Sequence, residues 1–164
     1  MTSDLSDPSR RKHITLVATA AAVFAIDLAT KIAASAALAD RDIDLPGPLD
    51  LRLSHNPGVA FGMGNDTPTW LVLTLTGAVA AGIAVAAWRG LFASSIAAGV
   101  VVGGALANVA DRSQAGTVVD MLYTGWWPTF NVADSAITVG AVLLVLDSLF
   151  SKEAATEKNP VDGF

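Results

Sequence analysis

The sequence predicts an all-α membrane protein, a bundle of four transmembrane helices with a small extracytoplasmic loop region able to hold short β-strands. Three observations predict it. The chain of 164 residues is 52% hydrophobic and 15% charged, with a mean hydropathy of +0.52, which is far too apolar for an ordinary soluble domain. Its charges avoid four stretches, each near the roughly 20 residues that a helix needs to cross a bilayer core. Basic residues gather at one side of those stretches.

The spans run from Ile14 to about Ala37, from Trp70 to Trp88, from Leu91 to about Ala110 and from Ala133 to Phe150. Backbone groups in lipid must be satisfied internally, so each span is helical. The first follows Arg10-Arg11-Lys12 and shares features of a secretory signal, with Ala34-Ser35-Ala36 as a conceivable cleavage site. Asp27 and Lys31 interrupt that pattern, so the segment is expected to stay as the first helix. The second is crowded with Ala and Gly, and the third contains Gly99-Val100-Val101-Val102-Gly103; small residues suit close packing of helices in lipid. Residues 1–164 read as one domain, with polar, mobile cytoplasmic tails over about 1–12 and 152–164.

Arg10, Arg11, Lys12, Arg89, Lys152 and Lys158 fall on one side of a four-span chain. The other side sets Arg41, Arg52 and Arg112 against Asp40, Asp42, Asp44, Asp50 and Asp66. The excess of positive charge on the inner side places both termini in the cytoplasm and the two long loops outside. The absence of cysteine excludes disulfides, thiolate nucleophiles and Cys-ligated metals. A formal charge of -5 argues against nucleic acid as a partner, and no HExxH metal motif occurs.

Within the first span, Asp27 and Lys31 are four apart and share a helical face, where they can neutralise each other. A structural ion pair is the expected role, with snorkelling of Lys31 to the interface as a second option. In the first outer loop, Leu49-Asp50-Leu51-Arg52-Leu53 alternates like a strand. It leads into His55-Asn56-Pro57-Gly58-Val59-Ala60-Phe61, a turn offering the Asn56 amide and an aromatic ring. His55 reads as a surface residue. At the end of the third span, Asn108 and Arg112 share a face while Asp111 points elsewhere, toward a neighbouring helix. Their amide and guanidinium suit either an extended peptide in a cleft or bonds between helices.

Asp120 and Asp134 flank the loop that holds Trp126-Trp127-Pro128. The tryptophans read as an interfacial belt, and Asp134 alone would read equally well as an N-cap of the fourth helix. Two acids beside one membrane surface need a purpose, because an ionisable group in hydrocarbon costs about 2.5–3.5 kcal/mol at a helix centre on insertion scales. They are read as a catalytic pair.

Together, Asp27-Leu28-Ala29-Thr30-Lys31, Asn56-Pro57-Gly58-Val59-Ala60-Phe61, Asn108-Val109-Ala110-Asp111-Arg112, Val118-Val119-Asp120 and Phe130-Asn131-Val132-Ala133-Asp134-Ser135 resemble, in order, the bacterial lipoprotein signal peptidases of the signal peptidase II family. The resemblance implies a membrane aspartic endopeptidase that removes signal peptides from prolipoproteins, cutting before the diacylglyceryl-modified cysteine, in the bacterial inner (cytoplasmic) membrane with its active site on the extracytoplasmic side. It implies Asp120 and Asp134 as the catalytic acids and Asn56, Gly58, Asn108, Arg112 and Asn131 as groups around the substrate. Asp27, Lys31, Phe61 and Asp111 would support the site. The implied partners are the diacylglyceryl-prolipoprotein, membrane lipids and a globomycin-type cyclic peptide inhibitor. One departure is Ala107, where the family pattern leads one to expect Gly.

The chemistry stands on the residues as well. Two close carboxylates cannot both ionise cheaply, so they share a proton and serve as base and acid with no metal or organic cofactor. Three rivals make different demands: an ion-coupled transporter or channel subunit using Asp27, Asp111, Asp120 and Asp134, a Ser–Lys peptidase using Lys31 with Ser54 or Ser135, and a noncatalytic assembly factor whose acids only cap and pair helices.

Overall fold

The computed structural model describes residues 7–57 and 68–157, with side chains through residue 150. Gly58 and Phe61 lie outside the described residues. Four helices and three short strands follow one another as α1 (Pro8–Ala37), β1 (Ile43–Asp44), β2 (Asp50–Asn56), α2 (Thr69–Trp88), α3 (Ser95–Ala115), β3 (Val118–Tyr123) and α4 (Val132–Glu157).

The helix ends follow local chemistry and differ from the hydropathy limits. Asp7 caps α1 through the Ser9 N–H at 3.0 Å, with Pro8 in the first turn, so the helix takes in Arg10, Arg11 and Lys12 rather than leaving them in a free tail. Ser94 caps α3 by accepting from the Ala97 N–H at 3.1 Å, and Gly116 closes it at φ 71°. These caps shift α3 a few residues beyond the span expected from apolarity. The fourth helix likewise runs on to Glu157, past the expected start of a tail, because Lys, Glu and Ala favour helix.

Among the described residues, three helices, α1, α2 and α4, are long and apolar enough to cross a membrane. The protein is a multi-pass membrane protein, and α3 is the shaft around which the others pack. Its 21 residues extend about 31 Å, again a bilayer core, but Gly99, Gly103, Gly104, Asn108 and Arg112 are buried within the protein. Gly99 and Gly103 lie against Leu16, Thr19, Ala20 and Val23 of α1. Gly104 meets the Ala133 carbonyl, and Gly140 of α4 meets Val101 and Ala97. Both α2 and α4 pack on α3 but make no substantial contact with each other.

The strands form one antiparallel sheet in the order β1-β2-β3. It rests on the end of α1 through Ala34, Leu38 and Met121, with Leu51 and Leu53 beside them. The alternating segment around Leu51 is thus a strand, extended through His55 and Asn56, which sequence reading placed in a turn. Leu51 pairs with Leu122, and Ser54 with Asp120. Three steps along β2 therefore match two along β3, which is a bulge.

Candidate active site

Asp120 enters the site from β3 and Asp134 from the first turn of α4. The β2 bulge matters here. With Asn56 opposite Val118, Asn56 becomes the diagonal neighbour of Asp120 on the same face, and its Nδ2 donates to Asp120 Oδ2 at 3.2 Å. Asn131 Nδ2 donates to the other oxygen, Asp120 Oδ1, at 2.7 Å.

Asn131, not Asp134, is the N-cap of α4. Its Oδ1 accepts from the Asp134 N–H at 2.8 Å, and Asp134 Oδ2 accepts in return from the Asn131 N–H at 3.2 Å. This reciprocal pair is a capping box with Asp in the place usually held by Glu or Gln. Asp134 Oδ1 accepts from Asn108 Nδ2 at 2.8 Å. All four carboxylate oxygens of the two acids are thereby held by nitrogen donors.

Asn131 also donates to Asn108 Oδ1 at 3.2 Å and is fully buried. Asp27 accepts from the Ala133 N–H at 2.7 Å through Oδ1, placing a carboxylate at the amino end of α4. Its Oδ2 lies 2.6 Å from Lys31 Nζ. Lys31 does not snorkel: only 3% exposed, it also contacts Asp111 Oδ2 at 2.9 Å and Asn108 Oδ1 at 3.0 Å. An ammonium surrounded by two carboxylates and an amide oxygen is more favourably placed in this polar cluster than across apolar surface. Asp111 additionally receives the Val119 N–H at 3.4 Å, tying β3 to α3.

Asp120 and Asp134 share a cavity of about 320 Å³ with Asn56, Asn108 and Arg112. Its other walls include Thr76 of α2, Ile137 and Thr138 of α4, Val118, and the Trp127–Phe130 segment. Trp126 projects outward at 79% exposure, whereas Trp127 belongs to the wall as well as to the surface. Burial, together with the neighbouring Asp134 charge, pushes the Asp120 carboxyl up to about 6. One acid able to hold a proton while its neighbour is charged is an arrangement suited to general acid and base chemistry.

A family model for signal peptidase (SPase) II matches residues 19–150. The chain belongs to the signal peptidase II family. The chain is similar to the lipoprotein signal peptidase of Rhizorhabdus wittichii, with 39% identity over 155 residues covering 87% of this chain and 90% of the relative. The lipoprotein signal peptidase of Rhodococcus jostii is 40% identical over 155 residues, covering 88% and 77%. Among solved structures, a bacterial membrane enzyme determined by the in meso method at 2.3 Å superposes with a TM-score of 0.73 at 24% identity, covering 92% of this chain and 93% of that one; it shares the fold.

Of the remaining expected positions, Asp27, Lys31 and Asp111 lie behind the cavity in the polar cluster, while Asn56, Asn108, Arg112 and Asn131 surround the acids. The arrangement does not match a Ser–Lys pair, because Lys31 Nζ points to Asp27, Asp111 and Asn108 and Ser135 Oγ donates to the Asn131 carbonyl. Nor do the four acids line one cavity. Asp27 and Asp111 are paired with Lys31 and apart from the cavity walls. The wall residues Thr76, Ile137 and Thr138 were missed by sequence reasoning. Helical position alone carried no signal for them, since the opening they border exists only once α2 and α4 straddle α3.

Proposed function

We propose that this member of the signal peptidase II family is an aspartic endopeptidase that removes signal peptides from diacylglyceryl-modified prolipoproteins, cutting before the lipidated cysteine. The carrying observation is that Asp120 and Asp134 face one cavity with each carboxylate oxygen oriented by a nitrogen donor. One acid draws a proton from water as its oxygen attacks the scissile carbonyl, and the other protonates the carbonyl oxygen. Arg112, Asn108 and Asn56 bind the peptide around that bond. The names carried by its relatives support the lipoprotein substrate.

The cavity is bordered by α2 at Thr76 and by α4 at Ile137 and Thr138, so a substrate confined to the leaflet enters between those helices. The active site lies on the extracytoplasmic side of the bacterial cytoplasmic membrane, with both termini inside. His13 beside Arg10–Lys12 stacks on Trp88 next to Arg89, with ring centroids 3.9 Å apart, which gathers these basic residues at one end of the bundle. A globomycin-type cyclic peptide occupies the same groove.

The test is cleavage of a diacylglyceryl-modified prolipoprotein by purified wild type, Asp120→Asn and Asp134→Asn in detergent, with folding followed by thermal melting. Each variant is expected to lose at least about a hundredfold in kcat while remaining folded. Cleavage by either variant at the wild-type rate would remove that acid from the mechanism. Equal turnover of lipidated and unlipidated precursor would overturn the assigned substrate.

A further inference from the structure

Resting on the diacylglyceryl-prolipoprotein substrate proposed above, we infer that Thr76 of α2 is a specificity-determining residue whose hydroxyl donates to an ester carbonyl of the diacylglyceryl group. The lipid is then read by its ester chemistry as well as by its apolar chains.

Between Trp70 and Trp88, the polar side chains of α2 are Thr74 and Thr76; every other position is Ala, Gly, Val, Leu or Ile. A threonine hydroxyl in such a span can close on the carbonyl one turn earlier, which meets its need for a partner in hydrocarbon. Thr74 does so on the exposed face of the helix, donating to the Trp70 carbonyl at 2.7 Å. Two residues on, Thr76 faces the other way, half-buried on the cavity wall. Among the described residues its hydroxyl has no hydrogen-bond partner.

Thr138 of α4 is its counterpart on the other wall. Thr76 stands seven residues inside the head of α2 at Thr69, and Thr138 six inside that of α4 at Val132, so both lie about 10 Å along their helices. The Thr138 hydroxyl donates to the Asp134 carbonyl at 2.9 Å, which uses its proton, and neighbouring Ile137 is apolar. Of the two hydroxyls on these helical walls, that of Thr76 keeps a proton to give. The groups suited to a peptide, on Asn56, Asn108 and Arg112, stand on β2 and α3. Thr129 also lines the cavity, but it belongs to the loop before α4, outside the apolar spans. The free donor on α2 therefore faces the side on which a lipid enters.

A polar cavity of about 320 Å³ is open to water, and a bound substrate displaces it. Were the displacing group hydrocarbon alone, the Thr76 hydroxyl would be stranded, which opposes binding. A diacylglyceryl group supplies the missing acceptor. The second and third carbons from its sulfur each carry an ester, so two carbonyls lie within a few bonds of the cysteine whose amide bond faces the acids. The acyl chains then run on between α2 and α4 into the leaflet. The thioether sulfur is a weak acceptor, which leaves an ester carbonyl as the fitting partner.

The test compares two precursors that differ only in the lipid, one with ester-linked acyl chains and one with ether-linked alkyl chains of matched length. Each is cut by purified full-length wild type, Thr76→Val and Thr76→Ser in detergent, with melting to follow the fold. Val replaces the hydroxyl with a methyl group, and Ser keeps the hydroxyl. Wild type is expected to favour the ester in kcat/KM by about fivefold, the size of one neutral hydrogen bond. Thr76→Val should lose that preference and Thr76→Ser should keep it. A wall residue acting through packing, or a hydroxyl bound to peptide, would change both precursors alike and leave the ratio unmoved, which would overturn the inference. Should Thr76→Val not fold, the wild-type ratio still decides, because equal cleavage of ester and ether leaves the hydroxyl no ester to read. An unlipidated precursor cut as fast as the lipidated ones overturns the substrate reading and this inference with it, whereas a strict lipid requirement without ester preference overturns this inference alone.

Discussion

Asn131 uses both hydrogens of its amide on Asn108 and Asp120, and its oxygen on the first turn of α4. Replacing it with Ala removes an N-cap worth about 1 kcal/mol and two buried hydrogen bonds of about 1 kcal/mol each. Asn131→Ala is therefore expected to lose roughly 2–3 kcal/mol in a melting or denaturant titration in detergent. Asp120 presents the opposite case, a residue whose charge opposes folding. Its folded-state pKa lies above the ordinary value of 3.8, at about 6, so its contribution is most favourable below 3.8 and declines as pH rises through 6. Asp120→Asn should consequently gain stability relative to wild type between pH 4 and 8, by on the order of 2 kcal/mol across that range. Melting curves at the two pH values measure it, and a difference independent of pH would contradict the burial argument.

At the scale of elements, the glycines of α3 are not interchangeable with those of α2. A Cβ on Gly103 would lie 2.5 Å from the Ala20 carbonyl oxygen, and one on Gly104 would lie 2.6 Å from that of Ala133. Around Gly77 and Gly82 of α2, nothing stands within 4 Å. Gly103→Ala and Gly104→Ala should each cost about 1–3 kcal/mol through forced separation of helices, whereas Gly77→Ala and Gly82→Ala should be neutral or slightly stabilising in the same melting assay. The sequence made the helices legible because apolar length is a strong signal, and it exposed the pairing tendency of Asp111 because a charge on that helix needs a partner. It did not expose β1, whose Ile43 and Asp44 are too few to show a period, or β3, whose buried Val118, Asp120 and Met121 break the two-sided alternation of an ordinary surface strand. The bulge was equally hidden. Asp120 and Asp134 stood out as acids at a membrane edge, but the inward turn of Lys31 depends on Asp111 and Asn108, which come from a helix more than seventy residues away.

At the scale of the molecule, α3 supports both walls of the cavity while leaving α2 and α4 apart. If substrate enters between them, tying the walls together should block cleavage. The chain has no native cysteine, so Thr76→Cys with Thr138→Cys supplies a clean pair for a bifunctional methanethiosulfonate reagent. Cross-linked enzyme should lose most turnover and regain it on reduction; full activity in the linked state would place the entrance elsewhere.

The contact between Asp27 and the Ala133 N–H spans 106 positions of sequence. A ribosome delivers α1 well before α4, so Asp27 must wait for the helix end it will receive. Until then neither Asn131 nor Asp134 has entered the bundle, and the polar cluster that joins α1, α3 and β3 to the head of α4 stays incomplete.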